Sequence, residues 1–355
     1  MEGKPANSDP GDFQRAPTPR HPKPILSVTV NPALDVYTAT DRVISKHKLR
    51  CTASRLEPGG GGMNAARVIQ RLGGQVLAVC TAGGPTGEAY RRLIEAERIP
   101  VLVAPINGST RESFTVDETG TGAQFRFVLE GPELSKSEWK ACLALVAEAI
   151  LPEGYVIASG SLPPGVPDDF YARVARLAKK VGARCVVDAS GAALSEAMAE
   201  GVFLVKPSRR ELATHLGREL DTEQDQIEAA SGLVADRAAE YVALTLGQAG
   251  AVLASEAGVI RLPAPSVQVV STVGAGDSFL GAFVLRLAQG APVDSAFLTA
   301  LAAGSAAAMT PGTELCHRKD IVRLEAELTA QRAPLASHFS GHLGRYPLPE
   351  RTDAG

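Results

Sequence analysis

Strand-like and helix-like segments alternate along most of this chain, and this alternation constrains the fold more than any other feature. Short runs rich in β-branched residues at 155–158, 185–188 and 203–206 are separated by helical segments such as 168–180. This pattern is typical of a mostly parallel sheet with helices on both faces. Ligands bind such sheets at the carboxyl ends of the strands, so the loops that follow the strands are the expected binding region.

Two segments break the alternation and predict a second, smaller sheet. Residues 35–56 resemble short strands outside the main sheet, and residues 112–129 carry a hairpin pattern. We expect them to form a small β-sheet lid. The folded domain is predicted to span residues 24–332, preceded at 1–23 by a disordered leader without a signal peptide's apolar stretch, and followed at 333–355 by a flexible tail.

Composition and charge argue against several classes of function. The net charge of −3 and the pI near 6.1 indicate no basic surface for nucleic acid. The sequence has no apolar run of about 18 residues, the length that a membrane span needs. The five cysteines are widely spaced without a C-x-x-C pair, which favours reduced thiols in the cytoplasm over a disulfide framework or a zinc site.

A glycine-rich turn at 272–277 predicts an anion site. A valine-rich run at 267–270 predicts a strand before the turn, and the apolar pattern at 280–287 predicts a helix after it. Glycines at 274 and 276 let the backbone approach a ligand closely, and the free N–H groups of a helix N-terminus favour phosphate. Asp277 would repel that phosphate unless it removes a proton from an attacking hydroxyl; alternatively, it only caps the helix.

A second glycine run, Gly59–Gly62, also precedes a predicted helix. It does not match the dinucleotide-binding pattern, because position 64 is Asn and no acidic residue follows a fresh strand at the expected distance. The sequence also lacks the P-loop pattern and the H-R-D and D-F-G motifs of protein kinases. A phosphate site with an adjacent carboxylate but none of these signatures indicates a third kind of phosphoryl-transfer enzyme.

Both glycine motifs resemble those of the ribokinase-like carbohydrate kinases, the PfkB family. Residues 59–67, with the sequence GGGGMNAAR, match the family's amino-terminal signature, and residues 272–277, TVGAGD, match the carboxy-terminal one. Similarity to the family's 6-phosphofructokinases without a P-loop lies in three further segments: 48–52, 159–165 and 187–191. The resemblance covers about residues 25–330 and implies a ribokinase-like fold whose lid strands pair across a homodimer.

The resemblance implies ATP-dependent phosphorylation of a sugar phosphate, with fructose 6-phosphate converted to fructose 1,6-bisphosphate as the main expectation. Tagatose 6-phosphate and fructose 1-phosphate are alternatives, and glycine at position 61 favours fructose 6-phosphate. A non-catalytic sensor of nucleotide or sugar phosphate would lack the carboxylate of Asp277. A kinase for unphosphorylated sugars or nucleosides would not need cations at 48, 50 and 111.

The resemblance also implies roles for individual residues. Asp277 is the expected general base, which removes the proton from the C1 hydroxyl of the sugar. The backbone N–H groups expected to bind the transferred phosphoryl group are those of Gly274, Ala275 and Gly276. The expected sugar contacts are Asp35, Gly59, Gly60, Asn64 and Ser161. Arg111 is expected to bind the substrate's own phosphate, with help from Lys48 and Arg50.

ATP is the expected nucleotide, with Mg²⁺ held by Glu211 through water. The expected nucleotide contacts are Lys206, Glu211, Thr245, Gly247 and Asp188. Ser208 occupies the first position of the family's Asn-x-x-Glu motif, and its shorter reach is expected to alter sensitivity to phosphate and Mg²⁺. Ser271 stands where many relatives carry Asp near the monovalent-cation loop, which leaves activation by K⁺ open.

Several of these residues have an alternative, purely structural explanation. Asp35 could belong to a turn, and Arg111 could be a solvated surface cation. Asp188 could cap a helix, and Glu211 could be an ordinary acid in a first helical turn. Lys48 and Arg50 lie in a charged run at 46–50, which could serve only to discourage strand pairing at a sheet edge.

Overall fold

Two β-sheets and ten α-helices make up the part of the chain that the computed structural model describes, residues 22–338. The strands are β1 (Ile25–Thr29), β2 (Ala33–Thr40), β3 (Arg55–Gly59), β4 (Leu77–Ala82), β5 (Val101–Pro105), β6 (Arg111–Glu118), β7 (Ala123–Val128), β8 (Tyr155–Ser159), β9 (Arg184–Asp188), β10 (Val202–Val205), β11 (Ala239–Thr245), β12 (Ala251–Ser255) and β13 (Gly258–Leu262). The helices are α1 (Gly61–Arg71), α2 (Gly84–Ala96), α3 (Lys136–Ala149), α4 (Phe170–Lys180), α5 (Gly191–Glu200), α6 (Arg209–Leu216), α7 (Glu223–Ala235), α8 (Ala275–Ala288), α9 (Val293–Ala308) and α10 (Arg318–His338).

The large sheet has nine strands in the order β13-β12-β11-β10-β9-β8-β1-β4-β5. Seven of them run parallel, and β12 and β13 complete one edge as an antiparallel meander. The central strands are buried on both faces, so neighbouring side chains enter different cores. Ile25 belongs to the core that includes residues of α1, α8 and α9, whereas Leu26 belongs to the core that includes residues of α3 and α4. This arrangement confirms the predicted α/β fold with helices on both faces.

The smaller sheet has four strands in the order β3-β2-β6-β7 and covers the carboxyl end of the large sheet. The register places Glu57, Asp35, Ser113 and Val128 in one row across the four strands. Side chains alternate between the faces of a sheet, so the next row faces away from the large sheet. This second sheet confirms the lid that the hairpin pattern predicts.

The strand predicted at 267–270 is wrong. Residues 263–270 have no regular secondary structure, and the Val270 N–H donates to the carbonyl of Ala308 at the end of α9. Val269 and Val270 remain 41% and 47% exposed, and the backbone at Val270 bonds to the end of α9 instead of to an edge of the large sheet. Strands β5 and β13 were not predicted.

The predicted terminal extensions mostly lie outside the described residues. Almost all of the predicted leader at 1–23, and the part of the tail beyond His338, fall there. Helix α10 continues to His338, past the predicted domain end at residue 332. Among the described residues, no helix combines the length and the apolar character needed to cross a bilayer.

Candidate active site

A cavity of about 470 Å³ lies between the lid and the carboxyl ends of the central strands. It brings together residues that are far apart in the sequence. The predicted site residues that line it are Asp35, Gly60, Asn64, Arg111, Ser161, Asp188, Lys206, Glu211, Thr245, Gly274, Gly276 and Asp277. A second cavity of about 610 Å³ adjoins it and shares Ser208, Thr245 and Gly276 with it.

The N-terminus of α8 forms the anion site that the glycine turn predicts. Gly274 adopts a left-handed conformation with φ 72°, and a Cβ there would lie 2.5 Å from Leu315 Cδ2. This position therefore requires glycine on grounds of both conformation and space. The N–H groups of the first turn of α8 have no partners four residues back within the helix, and the Ala275 N–H makes only a long bond of 3.4 Å to the Thr272 carbonyl, so the turn can bind an anion at the mouth of the cavity.

Asp277 lies in this first turn and contacts a residue from the other glycine motif. Its Oδ2 accepts a hydrogen bond of 2.8 Å from Asn64 Nδ2 in α1. Burial raises the pKa of Asp277, while the Asn64 hydrogen bond and the positive charges of Lys206 and Arg126 oppose that rise. A partly buried carboxylate of this kind can accept a proton from a hydroxyl group beside it.

Lys206 supplies a buried positive charge next to the anion site. Its Nζ lies 3.1 Å from Asp188 Oδ1, and a Cβ on Gly276 would come within 3.1 Å of the same Nζ. Burial alone would lower the pKa of Lys206, but the neighbouring carboxylates raise it. Burial raises the pKa of Asp188 to about 6, and Lys206 opposes this rise. The ammonium group is therefore held charged at the base of the cavity.

Ser208 and Glu211 form a capping box at the start of α6. Glu211 Oε2 accepts from the Ser208 N–H at 2.7 Å, and Ser208 Oγ accepts from the Glu211 N–H at 3.2 Å. The structural explanation for Glu211 as a first-turn acid is thus correct, yet both side chains also line the cavity. Among the described residues, no cluster of three or more His, Cys, Asp or Glu side chains could hold a metal ion by itself.

The adjoining cavity is a groove with an apolar floor. Val267, Val269 and Phe279 contribute apolar surface, and Gly247 and Ala275 contribute backbone. Val267 and Val269 thus belong to irregular chain along this groove and not to the predicted strand. Gly247 has φ +60°, which allows a tight turn directly after β11. The groove opens onto the N-terminus of α8, so a ligand lying in it could place a phosphate there.

Asp35 projects from the lid into the first cavity and is closely packed against Gly59. A Cβ on Gly59 would lie 2.1 Å from Asp35 Oδ2, so any larger residue would displace the carboxylate. Burial raises the pKa of Asp35 to about 7, and the positive charges of Arg111, Arg67 and Arg126 oppose the rise. A carboxylate can accept hydrogen bonds from two adjacent hydroxyl groups, as a sugar requires.

Two arginines of the lid line the same cavity as Asp35. Arg111 donates to the carbonyls of Asn31 at 3.2 Å and Leu129 at 3.1 Å, which orients its guanidinium group. Burial lowers the pKa of Arg111, and Asp35 opposes this effect. Arg126 lies on β7 and forms no ion pair with any described carboxylate. The pair therefore offers an anion subsite on the lid side of the cavity.

Comparison with known proteins identifies the family. The chain matches the pfkB family carbohydrate kinase domain over residues 30–320. The protein belongs to the PfkB family of carbohydrate kinases. The ATP-dependent 6-phosphofructokinase isozyme 2 of Mycobacterium tuberculosis is 43% identical over 86% of this chain and 90% of the relative. The enzyme of the same name from Escherichia coli is 40% identical over 86% of this chain and 99% of the relative.

Solved structures show the same similarity. The crystal structure of E. coli phosphofructokinase-2 in complex with substrates and products superposes with a TM-score of 0.83, covering 86% of this chain and 99% of that one. The E. coli protein has also been crystallised with fructose-6-phosphate, with potassium and in a tetrameric inhibited form. More distant relatives include a Bacillus subtilis 1-phosphofructokinase, 31% identical over 82% of this chain and 95% of the relative.

Lys48 and Arg50 do not reach the PfkB cavity. Both are exposed, in the irregular segment between β2 and β3. The Arg50 carbonyl accepts from Thr40 Oγ1 at 3.2 Å, which holds it at the far end of β2. Thr40 is five residues beyond Asp35, or roughly 16 Å along an extended strand. The charged run at 46–50 therefore lies at the lid's periphery, outside the cavity of its own chain.

Arg126 is the charged cavity residue that the sequence did not predict. It alternates with Phe125 and Phe127 on β7, so it faces the cavity while the phenylalanines face the other way. A lone cation within an apolar hairpin strand was the available signal. Gly59 touches the cavity only through Asp35, while Ala275 and Gly247 line the adjoining groove.

Proposed function

We propose that this protein transfers the terminal phosphoryl group of ATP to the C1 hydroxyl of fructose 6-phosphate, forming fructose 1,6-bisphosphate. The observation that carries the proposal is a single cavity with a carboxylate at a helix N-terminus and two arginines on the lid. The first feature suits phosphoryl transfer, and the second suits a substrate that already carries a phosphate. The relatives most similar in sequence are named 6-phosphofructokinases.

Asp277 acts as the general base in this mechanism. It accepts the proton of the attacking hydroxyl as the bond to phosphorus forms, and Asn64 holds its Oδ2 in place. The N–H groups of Gly274, Ala275 and Gly276 bind the phosphoryl oxygens as negative charge moves toward the leaving group. Lys206 adds a positive charge beside Gly276, so the site stabilises the transition state electrostatically.

ATP occupies the groove beside the N-terminus of α8. Thr245 and Gly247 border it after β11, and the apolar floor suits an adenine ring. Mg²⁺ fits the carboxylates at the junction because it usually binds through water and nucleotide phosphates instead of an all-protein cage. Glu211 would hold its water through Oε1, since Oε2 already caps α6. The ion would neutralise the transferred phosphate charge.

The sugar phosphate lies across the cavity from the anion site to the lid. Asp35, Asn64 and Ser161 bind its hydroxyl groups. Gly60 lines the cavity with its backbone, and glycine is required there because its φ is +107° and a Cβ would lie 2.7 Å from Thr29 Cγ2. Arg111 and Arg126 bind the phosphate at its other end, where planar guanidinium groups match the phosphate oxygens.

The lid also supports the expectation of a homodimer. Its outer face carries a row of apolar residues in register: Leu56, Val36, Phe114 and Phe127. Leu56 is 42% exposed and Phe127 is 53% exposed, so a second copy of the lid would cover apolar surface. Pairing of two lids would also occupy their edge strands. We propose this face as the dimer contact.

Turnover assays on a small substrate panel test the proposed activity. ATP consumption is measured with fructose 6-phosphate, tagatose 6-phosphate, fructose 1-phosphate and fructose for the wild type, Arg126→Ala and Arg111→Ala. Loss of either arginine should raise KM for fructose 6-phosphate about 10-fold or more and change the reaction with fructose little. Arg92→Ala, on the exposed face of α2, is the matched control.

The panel also separates the alternatives. Highest kcat/KM with tagatose 6-phosphate or fructose 1-phosphate would retain the kinase and replace its substrate. An equal loss with fructose in the arginine variants would contradict the phosphate subsite. ATP binding without turnover of any sugar would instead indicate a sensor, which the presence of Asp277 argues against.

A further inference from the structure

A buried arginine lies directly behind the Asn64–Asp277 pair. Arg67 follows Asn64 by one turn of α1, and its side chain is only 1% exposed. Its Nη1 donates to Asn64 Oδ1 at 3.3 Å and to the Pro58 carbonyl at 3.4 Å. Arg67 does not line the cavity. Any influence on the reaction must therefore pass through Asn64 or through its charge.

Two carboxylates fix the guanidinium group in this position. Glu57 Oε2 accepts from Nη2 at 3.2 Å, and Glu97 Oε1 accepts from Nε at 2.6 Å. Glu57 also accepts from Thr313 Oγ1 at 3.0 Å, so the lid strand β3 and the loop before α10 share this network. Partners on several sides satisfy the buried charge and leave Nη1 to donate to Asn64 and to the Pro58 carbonyl.

The amide of Asn64 stands between a group that can only donate and a group that accepts. A guanidinium group has no acceptor atom, and an ionised carboxylate has no donor. Arg67 therefore donates to the amide oxygen of Asn64, and the amide nitrogen donates to Asp277 at 2.8 Å. Rotation of the amide by 180° would set N–H against N–H on one side and oxygen against oxygen on the other.

We propose that Arg67 is a positioning residue for catalysis, which fixes the orientation of the Asn64 amide so that its nitrogen holds the Asp277 carboxylate in place to accept the substrate proton. The inference rests on the proposed function, because that function makes Asp277 the base. It assigns a chemical role to an arginine that touches neither substrate nor the reacting atoms.

The pH dependence of kcat at saturating substrate tests this role. Besides Asn64, the groups that act on Asp277 are the cations Lys206, Arg126 and Arg67 and the nearby carboxylate Asp188. Without a correctly oriented Asn64 donor, the pKa of Asp277 rises, so the acid limb of kcat moves to higher pH. Arg67→Met should move the limb upward by about half a pH unit or more and lower kcat about 10-fold at neutral pH.

Arg71→Met is the matched control. Arg71 follows Arg67 by one turn on α1, donates to Glu97 Oε1 at 3.1 Å and also contacts the Glu314 carbonyl, but it does not contact Asn64. Its loss removes the same charge from the same network. An acid limb that stays in place in Arg71→Met and moves in Arg67→Met supports the inference, whereas equal movement in both variants overturns it.

A double variant separates orientation from direct charge. In an Asn64→Ala background, Arg67→Met should move the acid limb no further, because the amide through which it acts is absent. A full additional shift would mean that the Arg67 charge acts on Asp277 directly, which overturns the proposed route. If Arg67→Met does not fold, Arg67→Lys takes its place throughout, because one ammonium group cannot satisfy Glu57, Glu97 and Asn64 in the same geometry.

The two proposals fail in different ways. A wild type that phosphorylates none of the sugars contradicts the proposed function. A wild type that phosphorylates fructose 6-phosphate while Arg67→Met keeps a normal acid limb contradicts only the role of Arg67.

Discussion

Replacing Asp35 by Asn should stabilise the folded protein while it weakens sugar binding. Burial raises the pKa of Asp35 from its ordinary value of 3.8 to about 7. Above pH 7 the carboxylate is ionised in both the folded and the unfolded chain, and the folded state carries the cost of the buried charge. Asn has nearly the same shape without the charge, so the substitution removes this cost.

The size of the effect follows from the shift in pKa. Each pKa unit corresponds to 1.36 kcal/mol, so a rise of about three units sets an upper limit of about 4 kcal/mol. Asp35 faces an open cavity, and water there reduces the effect to about 1–3 kcal/mol. Because the pKa of Asp35 is raised in the folded state, protonated Asp35 favours folding of the wild type. This contribution to the free energy of unfolding is fully present below the unfolded-state pKa near 3.8 and is lost as the pH rises through about 7.

Urea unfolding at pH 8 and pH 5 measures the difference in free energy of unfolding between the wild type and Asp35→Asn. The variant should be more stable at pH 8, and its advantage should fall by more than half at pH 5, where folded wild type is mostly protonated. Asp41→Asn is the control, since it removes an exposed charge from the same lid. Equal stability of Asp35→Asn and wild type at both pH values would refute the reasoning.

Two further predictions concern the packing of the lid. Gly59→Ala would bring a methyl group within 2.1 Å of Asp35 Oδ2 and should lower kcat/KM for the sugar phosphate about 10²-fold, whereas Gly232→Ala, which meets no atom within 4 Å, should not. Normal kinetics in Gly59→Ala would contradict the placement of the Asp35 carboxylate. Phe127→Asp should convert the dimer to monomer in sedimentation experiments, while Val322→Asp, on α10, should not; an unchanged dimer in Phe127→Asp would place the contact elsewhere.

The sequence identified the parts of the site that depend on local pattern. Glycines before a helix indicate that a ligand can approach the backbone closely. The loop at 272–277 forms the N-terminus of α8, as predicted. The alternation of strands and helices correctly predicted where the strand ends meet. From this alternation, Asp188 and Lys206, at the ends of neighbouring strands, were correctly expected at the same edge of the sheet as Asn64, which is far away in the sequence.

Features that depend on tertiary context could not be read in the same way. The valines at 267–270 have high strand propensity, but the Val270 N–H bonds to Ala308 at the end of α9 and not to a strand, so tertiary context overrides the propensity. Lys48 and Arg50 lie near Asp35 in the sequence yet at the opposite end of the strand. Arg126 faces the cavity because of the pairing register of β6 and β7, and this register could not be predicted from the sequence.

Turnover of fructose 6-phosphate by Asp277→Asn tests the central claim most directly. Asn keeps the shape of the side chain but cannot accept the substrate proton as a base. We expect a loss of about 10³-fold or more in kcat, with dissociation constants for ATP and fructose 6-phosphate changed little. A variant that retains near-normal kcat would contradict the assignment of Asp277 as the general base and, with it, the proposed mechanism.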